Sequence, residues 1–150
     1  MTPIPRAVAL AAVLGASLVA PAGALGTTIP VTTTADTTGG DGLCSLREAV
    51  VRSNTDVSID GECTPGPRGA DVIVLGPGTF RLARAGRGED NGQTGDLDLI
   101  GPVEIVGAGA SATTIDAAGI DRVIEARPGS QVVIRGVRIT GGAADPGATG

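Results

Sequence analysis

Beyond Ala70 the chain is written in short aliphatic runs: "DVIVLGPG", "GTFRLA", "DLDLIGPVEIVGAG", "ATTIDAAG", "DRVIEARPG" and "SQVVIRGVRITGG". Apolar and polar positions alternate within many of them. Leu97 and Leu99 flank Asp98, Val103 and Ile105 flank Glu104, and Val137 and Ile139 flank Arg138. This is the period-two signature of strands that bury one face. The breaks between runs carry glycine, which marks turns. The runs also echo one another. Laying "VEIVGAG" over "VVIRGVR" sets Val132 on Val103, an offset of 29 residues, and setting Val137 of "VRITGG" on Thr114 of "TTIDAAG" gives an offset of 23. Such offsets fit single turns of a β-solenoid with turns of unequal size. A small Greek-key sandwich with short, evenly spaced strands is the alternative that the same spacing allows. Either way the predicted class is all-β.

Before Ala70 the pattern differs. In "LGTTIPVTTTADTT", Ile29, Val31 and Thr33 alternate as in a strand, and Pro30 confines that strand to an edge or an early position. The turn Gly39–Gly42 leads into "DGLCSLREAV". Ser45 and Glu48 have the spacing of a capping box, in which each side chain accepts from the other residue's amide. Leu46, Ala49 and Val50 fall at i, i+3 and i+4, so they predict one apolar face of a short helix from Leu46 to Asn54. Arg47 and Arg52 are expected to point away from that face. A helix this short is unstable alone and must lie on an apolar surface. A solenoid's first coil offers one, because it exposes unpaired backbone and the apolar interior of the stack. The segment is therefore expected to be an N-terminal capping helix, with Leu46, Ala49 and Val50 facing the interior.

Composition sharpens this picture. The 150 residues include one Phe and no Trp, Tyr or His, and all 11 basic residues are arginine. An aliphatic core with so few aromatics favours stacked strands over the sandwich. The net charge of -5, with no basic cluster and no stacking platform, argues against nucleic acid as a partner. Residues 1–24 read as a secretory signal peptide: Arg6, the apolar "AVALAAVLGASLVA", Pro21, then Ala22-Gly23-Ala24 with cleavage after Ala24. The apolar run is short for a membrane span, which needs ~20 residues, so no transmembrane segment is expected in the mature chain. Cys44 and Cys63 are the only cysteines. In an oxidising compartment they are expected to pair, and closing a loop of about 20 residues would contribute roughly 3 kcal/mol.

Together "CSLREAV", "DGECTPGPRGADVIVLGPGTFRL" and "GDLDLIGPVEIVGAGASATTIDAAGIDRVIEA" resemble the CSLREA domain family over essentially all of Ile29 to Gly142. That family precedes β-helix repeats in exported bacterial proteins and is similar in layout to the passengers of polymorphic outer-membrane proteins. The resemblance implies a right-handed parallel β-helix behind an N-terminal cap, secreted or displayed at the cell surface. The expected organisation is a signal peptide over 1–24, a cap with helix and disulfide loop over 25–69, and first coils over 70–150. The last coil is expected to be exposed, as in a fragment of a longer array.

The sequence offers little for catalysis. Without histidine a nucleophilic triad is excluded, and with no CxxC a zinc shell cannot be completed. Glu89, Asp90, Asp96 and Asp98 are the candidates for a carboxylate pair or a calcium site. Their spacing matches no EF-hand or RTX repeat, and they are read as a solvated acidic loop. "GAGASA" at Gly107–Ala112 lacks the following helix of a dinucleotide loop and is read as a turn. Asp116 and Asp121 suit turns, and Arg135 and Arg138 are expected on an outward face. No catalytic residue, metal or cofactor is assigned. The expected function is a non-enzymatic structural or adhesive segment with an unidentified glycan or protein ligand. The alternative is the N-terminal part of a β-helix polysaccharide lyase or hydrolase.

Overall fold

The computed structural model describes residues 25–143. The leader, with Ala22 and Ala24, lies outside the described residues, as do residues 144–150. The described residues form nine strands and one α-helix: β1 (Leu25–Pro30), α1 (Leu46–Thr55), β2 (Ala70–Val74), β3 (Gly78–Arg81), β4 (Leu97–Leu99), β5 (Val103–Val106), β6 (Thr113–Asp116), β7 (Ile124–Ala126), β8 (Val132–Arg135) and β9 (Arg138–Thr140). A single 3-10 turn occupies Ile59–Gly61.

Every strand pairing is parallel. The strands form three sheets, ordered β1-β2-β5-β8, β3-β6-β9 and β4-β7. Successive passes of the chain therefore lay each strand on the equivalent strand of the pass before. The sequence pattern explains the registry. Ile29, Ile73, Ile105 and Ile134 are register partners from β1 to β8, and the first three are fully buried. In the second sheet Phe80, Ile115 and Ile139 are stacked. In the third Leu97 lies on Ile124. A one-residue slip would send any of these side chains to the other face.

Val132 pairs with Val103, which is the 29-residue offset read from the sequence. The second offset needs correction. Arg138, not Val137, pairs with Thr114, so the repeat there is 24 residues. The pleat gives the reason: an offset of 23 would turn Ile139 away from Ile115. The turns are unequal because their loops differ. The loop Leu82–Asp96 sits inside the first full layer, so Thr113 follows its partner Gly78 by 35 residues.

Close approach of the layers requires glycine at one corner. A Cβ on Gly107 would lie 2.3 Å from the Gly136 carbonyl oxygen, and one on Gly136 would lie 2.5 Å from that of Gly107. These residues carry the chain out of β5 and β8, and the next element after Gly107 is β6 rather than a helix. At the far side of the stack, Ile139 is covered on one face by Ile115 and remains 46% exposed, so its place in the alternating pattern does not make it a core residue.

At the near side, β1 is the edge strand of its sheet, where Pro30 is tolerated. Helix α1 follows and packs on β2 and β4. Arg47 and Arg52 are both fully buried, contrary to the expectation that they face solvent. Arg52 Nη1 lies 3.3 Å from Asp71 Oδ2, Nη2 donates to the Gly66 carbonyl at 3.0 Å, and Nε donates to that of Thr64 at 3.2 Å. Asp71 shares the buried face of β2 with Ile73; its Oδ1 also accepts from the Thr27 amide at 2.6 Å. A lone carboxylate there would be strongly disfavoured, and Arg52 is what makes it tolerable.

Removing one partner of such a pair leaves an uncompensated buried charge. Arg52→Met is expected to destabilise the chain by about 3–5 kcal/mol in urea unfolding, and adding Asp71→Val to recover much of that loss.

Candidate functional site

Two sets of residues hold the chemistry that the sequence singled out: the start of α1 and the acidic loop beside β4. At the first, Ser45 is the N-cap of α1, its hydroxyl accepting from the Glu48 amide while Glu48 Oε2 accepts from the Ser45 amide at 2.8 Å. The helix runs one residue past the expected Asn54 and ends on Asp56 in the left-handed conformation. Leu46, Ala49 and Val50 are buried in one core cluster with Ile73, Leu75 and Leu97. Cys44 and Cys63 form a disulfide, with their Cα atoms 4.8 Å apart, tying the helix start to the loop before β2.

Sequence reasoning missed the polar half of this arrangement. Arg47 donates through Nε to Asp36 Oδ1 at 2.6 Å and through Nη2 to Asp36 Oδ2 at 3.1 Å. It also donates to the carbonyls of Gly92 and Gly95, each at 2.9 Å. Asn54 donates to the Asp98 carbonyl at 2.7 Å and accepts from the Ile100 amide at 3.0 Å. Its side chain thus satisfies the edge of β4 as another strand would. Helical periodicity assigns Arg47, Arg52 and Asn54 to the polar side, and nothing local reveals that this side is covered too.

The second set departs further from expectation. Asp96 and Asp98 are buried, not solvated, because the loop 84–96 folds over β4. Glu89 is used by that loop itself: its carboxylate accepts from the amide of Asn91 and from that of Thr94 at 2.6 Å. Burial raises the Glu89 carboxyl, but the amides of Thr94, Asn91 and Gln93 outweigh it and hold it below its ordinary value. Asp96 Oδ2 accepts from Arg122 Nε at 2.9 Å. Asp98 Oδ2 accepts from the Gly92 amide at 2.9 Å, while its Oδ1 has no hydrogen-bond partner. Burial pushes the Asp98 carboxyl up to about 6; the Gly92 amide opposes this, and the charges of Asp96, Glu125 and Glu89 reinforce it.

Asp98 and Glu125 are register partners on adjacent strands, and Asp90 joins them, with one oxygen from each of the three within 4.8 Å of the others. Arg127 spans part of the cluster, its Nη1 lying 2.9 Å from Asp90 Oδ1 and 3.2 Å from Glu125 Oε1.

The remaining candidates are structural. Asp116 accepts from the Ala118 amide at 2.9 Å and Asp121 from that of Arg122 at 2.8 Å, both local turn contacts. Arg135 is exposed and pairs with Glu104; Arg138 is also exposed. Two shallow grooves lie elsewhere. One is lined by Val31–Thr34, Gly76, Pro77 and Phe80. The other includes Asp71 and Glu104, each already held by an arginine. No helix among the described residues is long and apolar enough to cross a membrane. Comparison with known protein families, curated proteins and solved structures found no match to the chain.

Asp98 gives a pH test. Its folded value of about 6 lies above the unfolded 3.8, so it favours folding when protonated, and this contribution is lost as pH rises through about 6. In urea unfolding with a chelator present, Asp98→Asn is expected to be more stable than the parent near pH 7 and to lose that advantage by about pH 4.

Proposed function

We propose that this chain is the capped beginning of an exported right-handed parallel β-helix with a structural or adhesive role, not an enzyme. The observation that carries the reading is the in-register parallel stack with α1 lying across its first layer. The column Ile29–Ile73–Ile105–Ile134 gives the stack a continuous aliphatic interior. Helix α1 contributes Leu46, Ala49 and Val50 to the same interior at the end where, among the described residues, no strand precedes β4 in its sheet. Right-handedness is the near-universal choice for parallel crossover connections and agrees with the resemblance to the CSLREA family.

Export is supported by the leader pattern over 1–24 and by the Cys44–Cys63 bridge, which suits an oxidising compartment. A structural role is supported by how the acidic residues are used. Glu89 and Asp96 are consumed by internal contacts, and Asp98 is buried beneath the loop, so none of the three is placed as an accessible acid–base pair. In this role the outer faces of the sheets present a rigid surface to a glycan or a protein, and binding follows from display alone.

The test has two arms. Leu46→Asp places a charge under the cap and is expected to shift the purified protein from a soluble species to aggregates in light scattering; unchanged solubility and stability would remove the capping role. Incubation with polygalacturonate and alginate is expected to release no reducing or unsaturated ends. Sustained release by the purified chain would replace the structural reading with a polysaccharide-cleaving one.

A further inference from the structure

We infer that Asp90, Asp98 and Glu125 form a calcium site on the outer face of the β4-β7 sheet. The first observation is geometric. One oxygen from each carboxylate lies within 4.8 Å of the other two. Oxygens bound to one calcium ion at 2.3–2.6 Å can be up to about 5 Å apart, so a single ion can reach all three. The second observation is independent of the clustering. Asp98 is fully buried, its carboxylate belongs to the cluster, and its Oδ1 has no hydrogen-bond partner. A buried carboxylate oxygen without a donor is costly, and a cation satisfies it.

The register adds a third. Asp98 and Glu125 face each other across parallel strands, an arrangement of like charges that destabilises a sheet unless something neutralises it. Arg127 partly does so. It bridges Asp90 and Glu125 from the surface but makes no hydrogen bond to Asp98. Arg122 is engaged by Asp96 and by Glu125 Oε2. The five carboxylates of this region, Glu89, Asp90, Asp96, Asp98 and Glu125, thus face two paired arginines. A hard cation with oxygen ligands suits the remaining charge, with water completing the shell on the side of the exposed Asp90. The ion would displace Arg127 toward solvent and pin the loop 84–96 to the stack. This goes beyond the structural reading and does not require it.

The experiment is calorimetric titration of the chelator-treated full chain with calcium chloride, paired with thermal unfolding in calcium and in chelator. Binding at one site is expected, with a dissociation constant of about 0.1–1 mM and a higher melting temperature in calcium. Asp90→Asn and Glu125→Gln alter the more accessible ligands and are expected to weaken binding by about 10-fold or more. Glu62→Gln, in the disulfide loop, is expected to leave it unchanged. No saturable binding up to about 10 mM calcium, or equal binding by the parent, Asp90→Asn and Glu125→Gln, would overturn the site. Melting of each variant in chelator establishes that it is folded before it is titrated.

Discussion

A carboxylate on the buried face of a parallel stack has to be met by a cation, and in this chain the cation comes from the helix. Asp71 lies on the same face of β2 as Ile73, and Arg52 reaches it from α1. Arg47 does the same for Asp36, whose Oδ2 also accepts from the amides of Ala83 and Arg84 just after β3. Each guanidinium then spends its remaining donors on loop carbonyls: Thr64 and Gly66 for Arg52, Gly92 and Gly95 for Arg47. The helix, the disulfide loop and the loop over β4 are therefore joined through two buried arginines. The apolar face alone could not orient the helix so narrowly, because apolar contact is not directional.

The repeating stack and its first layer are ordered by different means. The stack repeats because its isoleucines and valines recur in register, and parallel pairing passes the registry from layer to layer. Among the described residues the first layer has no earlier one to copy. Its order comes from β1, from the segment through Asp36 and from α1, and Asn54 supplies the β4 edge with hydrogen bonds in place of a strand. The acidic cluster follows from the same layering, since stacking β7 on β4 puts Glu125 against Asp98.

What was legible in the sequence was what repeats or what is local. Period-two alternation located the strands, the 29-residue echo located the β5–β8 pairing, and the Ser45–Glu48 spacing located the start of α1. The weaker echo was set one residue out by starting it at Thr114; aligned on Ile115 and Ile139, the isoleucine that "TTIDAAG" and "VRITGG" share, it gives the observed 24 residues. Asp96 and Asp98 were misjudged because Arg122 and the Gly92 amide close over them; Arg47 and Arg52 were misjudged for another reason. Their burial depends on loops distant in sequence, Gly92 to Asp96 for Arg47 and Thr64 to Gly66 for Arg52, and neither periodicity nor charge pattern carries that information.

The central claim is that α1 and the strand stack are one cooperative unit. Native-state hydrogen exchange on the full chain tests it most directly, because it assigns an opening free energy to each region. The account predicts that the hydrogen-bonded amides of α1, including Ala49 and the cap at Asp56, open in the same event as those of β2 and β5. Exchange of α1 through a separate, much easier opening, with the strands still protected, would contradict it and leave the helix an attachment to a stack that stands without it.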